Sequence, residues 1–392
     1  MTTRQSLASL LGLIFSHFVA FSIILTMLPF AADTAGMPAA GLGVVLAILG
    51  GSGLLLDPIA GALANRIGRP LVVGLGGIVG ALASIGLARE LNPVTVTIYA
   101  LCAAIAMSCI VNPALSALSE HRQERPALVQ GSNAAVQRLG SLLAALALAL
   151  LLTQRGLPKL QLIVAAGYLV VAACALQIST GTRGSASSLS RAGVRAAYAR
   201  SYTLALRSIG VARAALVNCG LAIFFLVGSS FFPILALDRG YGSVYVGVAL
   251  GARDLLAVAA GPTLPLFSRR FALRTIWIWA ASLGLITLGG SIVTSSMLWG
   301  IALFSVHGIA IGFGIAIANI HVTHATTEQE RVFGFAAVAI ASRAVNLLTP
   351  LLLGVVLAFG SARLAIAVGA TIGLSLLVGY MMTGRRPPGK AT

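Results

Sequence analysis

Long apolar runs, broken by short polar stretches, repeat along almost the whole chain. A membrane span needs about 20 mainly apolar residues. Runs of that length predict helices over 10–30, 39–63, 70–88, 93–118, 127–152 and 158–179, then over 214–237, 243–267, 274–294, 297–322, 331–356 and 361–383. Twelve spans in two groups of six put both ends on one side. The groups are separated by the one substantial hydrophilic stretch, TGTRGSASSLSRAGVRAAYARSYTLALRSIGVAR. Its Gly/Ser-rich start reads as a tether. Arg191, Arg195 and Arg200, with Leu189, Val194, Tyr198 and Leu204 among them, predict an amphipathic helix on the membrane surface. The expected organisation is an N-terminal six-helix bundle (1–179), a basic linker (180–213), a C-terminal six-helix bundle (214–383) and a tail (384–392). The fold class is an all-α membrane protein.

Composition agrees with the pattern. The 392 residues are 58% hydrophobic and 9% charged, which excludes an ordinary soluble domain. A net charge of +17 invites a nucleic-acid reading, but the placement of the basic residues answers it. With the N-terminus cytoplasmic, the inner segments hold 18 Lys and Arg residues and the outer loops five: Arg89, Arg155, Lys159, Arg239 and Arg363. That bias is the positive-inside signature of the cytoplasmic (inner) membrane, and no nucleic-acid partner is expected. The opening MTTRQSLASL has no short apolar core before a cleavage site, so no cleavable leader is expected. Cys102, Cys109, Cys174 and Cys219 lie inside apolar runs and read as small packing residues.

One stretch recurs. Gly51, Leu55, Leu56, Ala60, Gly61 and Arg69 return two hundred positions later as Gly251, Leu255, Leu256, Ala260, Gly261 and Arg269. Within the first copy, GALANRIGRP (61–70) resembles the loop between the second and third helices of the major facilitator superfamily. Gly61, Leu63, Ala64, Arg66, Gly68 and Arg69 match that pattern. The resemblance implies two pseudo-symmetric bundles rocking about a midplane site, with Gly61, Asn65, Arg66, Gly68 and Arg69 as a gating motif. Two departures stand out. Asn65 occupies the family's acidic position, and an amide cannot form its ion pair. The fifth span, GSNAAVQRLGSLLAALALA, lacks the Gly-Pro of many drug/proton antiporters.

Ionisable residues inside the spans carry the candidate chemistry, because each costs about 2.5–3.5 kcal/mol on insertion scales. Arg138 and Arg343 lie 13 and 12 residues beyond Arg125 and Arg331, at equivalent depths in the fifth and eleventh spans, and are expected to face each other across a central cavity. Arg253 and Asp254 sit mid-way along the eighth span. Gln130, Gln137 and Ser141 share a face of the fifth span, flanked by Asn133 and Arg138, and Asn346 and Thr349 follow Arg343. Such stripes suit a water-filled path. Arg138, Arg343, Arg253, Gln137, Asn346 and His307 are therefore the expected substrate-binding set, since guanidinium groups match carboxylates. Asp254, Asp57 and His17 are the expected proton-coupling groups. A rival reading has Arg253 paired with Asp254 or Asp57 and the arginines serving a gate. Phe224, Phe225, Phe231 and Phe232 of the seventh span are read as packing or lipid-facing, with the walls of an apolar cavity beside Pro233 as the alternative.

The chain shows no catalytic constellation, phosphate-binding loop or metal-ligand set, so no enzyme activity, cofactor or metal is expected. The expected function is secondary active transport of a small anionic or amphiphilic organic solute, of carboxylate-metabolite or siderophore type, coupled to protons and performed by a monomer. The alternative is a proton-driven exporter of drugs or lipophilic solutes.

Overall fold

The computed structural model describes residues 7–119, 126–151, 156–178, 199, 202–327 and 331–383. Its helices are α1 (Leu7–Thr34), α2 (Ala39–Gly51), α3 (Gly53–Ile67), α4 (Arg69–Arg89), α5 (Pro93–Ser119), α6 (Pro126–Leu151) and α7 (Leu157–Ala175) in the first half. In the second half they are α8 (Ile209–Leu226), α9 (Phe232–Asp238), α10 (Ser243–Ser268), α11 (Leu273–Val293), α12 (Met297–Ala325), α13 (Arg331–Phe359) and α14 (Ala362–Met382). Among the described residues, twelve helical stretches are long and apolar enough to cross a membrane, as the hydropathy pattern predicts. The second span is α2 and α3 in succession. The seventh is α8 and α9 joined by a π turn at Val227–Phe231.

Each half is a bundle. In the first, α4 lies against α5 and α7, and α1 against α5, α6 and α7. In the second, α12 lies against α8, α10 and α11. Large apolar side chains point outward all round, among them Leu71, Leu82, Leu150 and Ile286, each more than half exposed. Lipid is the solvent such a surface needs.

Arginines tie the ends of the spans. Arg239 donates to the Ser291 and Thr294 carbonyls at the end of α11, at 3.3 and 3.1 Å. Arg213 reaches the Thr383 carbonyl at 3.3 Å and Arg274 the Met381 carbonyl at 2.6 Å, both at the end of α14. Each places a cation on carbonyls that no helical turn can satisfy. The seventh span starts at Ile209, five residues before the hydropathy break suggests, because the Ser208 side chain caps the Val211 amide. Residues 202–207 form a short helical stretch, with Leu204 packed against Val211, Ala214 and Val322. The expected amphipathic helix around Arg191–Arg200 lies outside the described residues except for Ala199, as does the tail from 384.

Two seams join the halves. In one, α2 and α3 run along α13: a Cβ on Gly43 would lie 2.6 Å from the Pro350 carbonyl oxygen, and one on Gly354 would lie 2.8 Å from the Gly43 Cα. Backbone touches backbone there, which only glycine permits. In the other seam α6 runs along α10, with Gly247 on Ala149, Gly251 on Ala145, and Gly261 on Ala134 and Gly131. The repeated glycines 51 and 251 thus do the same work, each facing the other half.

Candidate functional site

The motif turn comes first. Gly68 has φ +99°, which disfavours any side chain, and α4 starts directly after it with Pro70 in its first turn. The glycine of the recurrent motif is therefore a steric requirement of a two-helix reversal. Gly61 and Arg66 lie on α3 near this reversal, and Arg66 is exposed. The side chain of Asn65 lies outside the described residues.

The embedded charges fall into two groups, one on each seam. On the first seam, α13 sends Arg343 to Asp57 of α3. Nε donates to Oδ2 at 3.0 Å and Nη2 to Oδ1 at 3.4 Å, a two-pronged pair between the halves. Nη1 adds the Gly50 carbonyl at 3.4 Å and the Met107 sulfur at 3.4 Å. Gly53 makes the room, since a Cβ there would overlap the Arg343 guanidinium.

On the second seam, Arg253 and Asp254 of α10 turn toward each other. Nε and Nη2 donate to the two carboxylate oxygens at 3.1 and 2.9 Å, and Nη1 donates to Ser229 of the π turn at 3.0 Å. Arg138 of α6 approaches the same carboxylate, with Nη1 3.8 Å from Oδ1. The seams are related by the repeat. An acid on the second or eighth span meets an arginine on the eleventh or fifth, and Asp254 is displaced from the Asp57 position by three residues, about one helical turn.

The three arginines are not alike. Those at 253 and 343 have a partner for every guanidinium nitrogen. Arg138 is 3% exposed, yet its Nε and Nη1 make no hydrogen bond among the described residues. Aromatic rings flank it instead: Phe225 at 4.7 Å and Phe18 at 5.8 Å from the guanidinium carbon. Phe225 also lies 5.7 Å from the Arg253 guanidinium, and Phe304 lies 5.6 Å from it. Phe21 runs parallel to Phe225, 6.1 Å away across the divide between halves.

Several expectations need correcting. Arg138 and Arg343 do not act as one facing pair. Arg343 is held on the first seam by Asp57, while Arg138 lies on the second, 3.8 Å from the Asp254 carboxylate that Arg253 already holds. Asp57, expected as a proton-coupling group, is the ion-pair partner of Arg343. The polar stripe on α6 does not line an open path. Gln137 donates to Asn133 at 3.1 Å, Asn133 to Gln130 at 3.4 Å, and Asn319 of α12 to Gln130 at 2.8 Å. Ser141 meets Ser22 of α1 at 2.7 Å. A buried amide ladder of this kind satisfies its own polar atoms and joins α6 to both halves. Asn346 is half-buried against Gly50 on the first seam, away from Arg138.

The histidines stand apart from the charges. His307 is fully buried, with one ring nitrogen 3.2 Å from the Gly284 carbonyl and the other 3.4 Å from the Phe224 carbonyl. It braces α12 against α11 and α8, with both ring nitrogens facing backbone carbonyls, one of which a neutral imidazole can donate to. His17 packs among Phe18, Phe21 and Tyr168, and neither nitrogen has a hydrogen-bond partner among the described residues. Among the described residues, neither ring has a hydrogen bond or ion pair with a carboxylate.

Sequence reasoning missed Ser229 and the contact of an aromatic ring with the arginines. Of the four phenylalanines, Phe224, Phe231 and Phe232 are core residues, the packing reading, whereas Phe225 stacks on arginine, closer to the wall reading. The available signal was GSS set between two Phe-Phe pairs, a polar break at mid-span depth.

The family model of the Major Facilitator Superfamily matches residues 10–313, most of the chain. The chain belongs to the Major Facilitator Superfamily. Among solved structures, this superfamily member is similar to a bacterial homologue of the human lysosomal transporter Spinster in an inward-facing, unoccupied conformation. The TM-score is 0.74 at 14% identity, covering 97% of this chain and 96% of that one. The nucleoside transporter NupG aligns with TM-score 0.72 and 14% identity over 97% and 99%. The human organic anion transporter MFSD10 aligns with 0.65 and 15% over 97% and 100%. No curated protein sequence matches the chain. At these identities the structures speak for the fold alone, and the site has to be read from this chain's own residues.

Proposed function

We propose that this transporter moves a small organic anion across the cytoplasmic (inner) membrane by alternating access, with proton coupling, and that it works as a monomer. The observation that carries the reading is Arg138, a buried guanidinium with unused donors at the contact between the two halves. Burying an unpaired donor costs free energy, so a ligand carboxylate that satisfies it binds with a gain no neutral solute matches. The organic anion transporter MFSD10 shares the fold, which is compatible with such a cargo.

Roles then divide by contact. Arg138 takes the substrate, with Arg253 and the Gln137 ladder positioning it. Asp254, held by Arg253 and approached by Arg138, is the proton site. A proton on Asp254 releases Arg138 for the anion, so by linkage each ligand strengthens binding of the other. Arg343 and Asp57 form the gate on the opposite seam, with the 61–69 motif at its inner end.

Flux in proteoliposomes tests this. Purified protein should accumulate organic anions along a pH gradient, and Arg138→Gln should abolish flux while inserting normally. Normal kinetics in that variant would overturn the reading. The aromatic walls also suit a lipophilic cation exporter, and for that reading hydrophobic cations, not anions, would raise the thermal stability of the purified protein.

A further inference from the structure

Around Arg138 the fixed charges do not cancel. Arg138, Arg253 and Asp254 sum to +1 within a closed, lipid-embedded region, and all three are at most 3% exposed. One carboxylate takes the free donors of Arg138, and its charge is offset by the proton on Asp254. A second carboxylate would have no guanidinium of its own, because Arg253 is engaged with Asp254 and Ser229, and an unpaired buried charge costs several kcal/mol. A neutral solute would leave both the charge and the Arg138 donors as they are.

The walls narrow the class further. Phe18 and Phe21 come from α1 and Phe225 from α8, so the rings approach Arg138 from both halves. The Phe21 and Phe225 planes lie within 6° of parallel. The nearby hydroxyls are already engaged: Ser22 with Ser141, Ser229 with Arg253, and Ser230 with the Leu25 carbonyl. A sugar, nucleoside or hydroxy acid would find few free partners for its hydroxyls, and each hydroxyl buried without a partner costs free energy. A flat apolar ring meets only faces that favour it.

We infer that the site selects an aromatic monocarboxylate, its carboxylate on Arg138 and its ring against Phe225, with Phe21 and Phe18 completing the enclosure. This rests on the anion-transport reading and specifies its cargo. Phe225 is the specificity-determining residue, and Arg253, each of whose guanidinium nitrogens has a partner, is a positioning residue that keeps Asp254 aligned.

The test is binding to purified full-length protein by titration calorimetry, using benzoate, cyclohexanecarboxylate, terephthalate and benzamide. Benzoate should bind about tenfold tighter than cyclohexanecarboxylate, the scale of one good aromatic contact. Terephthalate should bind more weakly than benzoate, and benzamide should not bind. Phe225→Leu should bring the benzoate and cyclohexanecarboxylate affinities together, with a retained cooperative thermal transition showing that the variant is folded. Equal affinities for the two monocarboxylates in the wild-type protein would overturn the aromatic assignment and leave anion transport standing. Benzamide binding as tightly as benzoate, with Arg138→Gln unaffected, would overturn both. If none of the four binds, the assignment also fails, and flux of aliphatic anions in proteoliposomes then decides the transport reading separately.

Discussion

Replacing Asp57 by Asn removes one charge from the pair that joins α3 to α13. The two contacts, 3.0 and 3.4 Å, correspond to a gross attraction of about 5 kcal/mol at an effective dielectric of 20. Desolvation offsets much of that while the pair is intact. Removing one partner instead leaves Arg343 buried and uncompensated, at a cost of about 3–5 kcal/mol. The remaining contacts of Arg343, to Gly50 and Met107, and the residual acceptor of Asn bring the expected loss to the lower end. If the pair forms only while this seam is closed, ~3 kcal/mol moves the closed-to-open equilibrium by on the order of 100-fold. Spin labels at Met37 and Phe359, beside the Gly43–Gly354 crossing on the face away from the termini, read that change as longer distances. The double variant Asp57→Asn/Arg343→Met leaves no buried charge and should return most of the wild-type distribution and thermal stability. A single variant with wild-type distances and melting would refute the claim that this pair latches the seam.

Other perturbations address the remaining contacts. Gly43→Leu forces a side chain into the Pro350 carbonyl and should lower thermal stability by about 1–3 kcal/mol, read in detergent unfolding, with transport lost through a seam that cannot close. Ser229→Ala removes one of the three anchors of Arg253 and should weaken anion affinity by about tenfold, the scale of a hydrogen bond to a charged group, without preventing insertion. Anion binding in weakly buffered detergent solution should take up about one proton per anion if Asp254 is the coupled group, and Asp254→Asn should abolish the uptake.

The hydropathy pattern made the fold legible because lipid imposes one rule on every span: twelve runs became twelve crossings, with errors of a few residues at ends such as Ile209. The glycine repeat was legible too, since Gly51 and Gly251 both sit on seams. Depth along a helix placed Arg138, Arg253, Asp254 and Arg343 near the centre, but depth says nothing about azimuth. Whether Arg343 meets Asp57 or Arg138 depends on how α3 and α13 are rotated, and that is fixed by Gly53 and by packing distributed over both halves. The Gln130–Ser141 stripe misled for a related reason. Polarity on one face fits a wet path and a self-satisfied ladder equally well, and only the partner Asn319, 189 residues away, separates them. The π turn left no periodic trace, because five residues are too few to shift an apolar pattern that has no polar face.

That turn changes how the seventh span can move. A π turn is an α-helix carrying one surplus residue. Rewinding Val227–Phe231 into α-helix would hand that residue on and rotate the following α9 by about 100°, the step of one residue. Ser229 and Ser230 sit on the turn, one on the Arg253 guanidinium and the other on the Leu25 carbonyl of the opposite half. A single screw-like slip would therefore let go of both together. In such a mechanism the span acts as a threaded bolt rather than a hinge: the charge cluster and the grip between halves share one thread, and neither can be loosened alone.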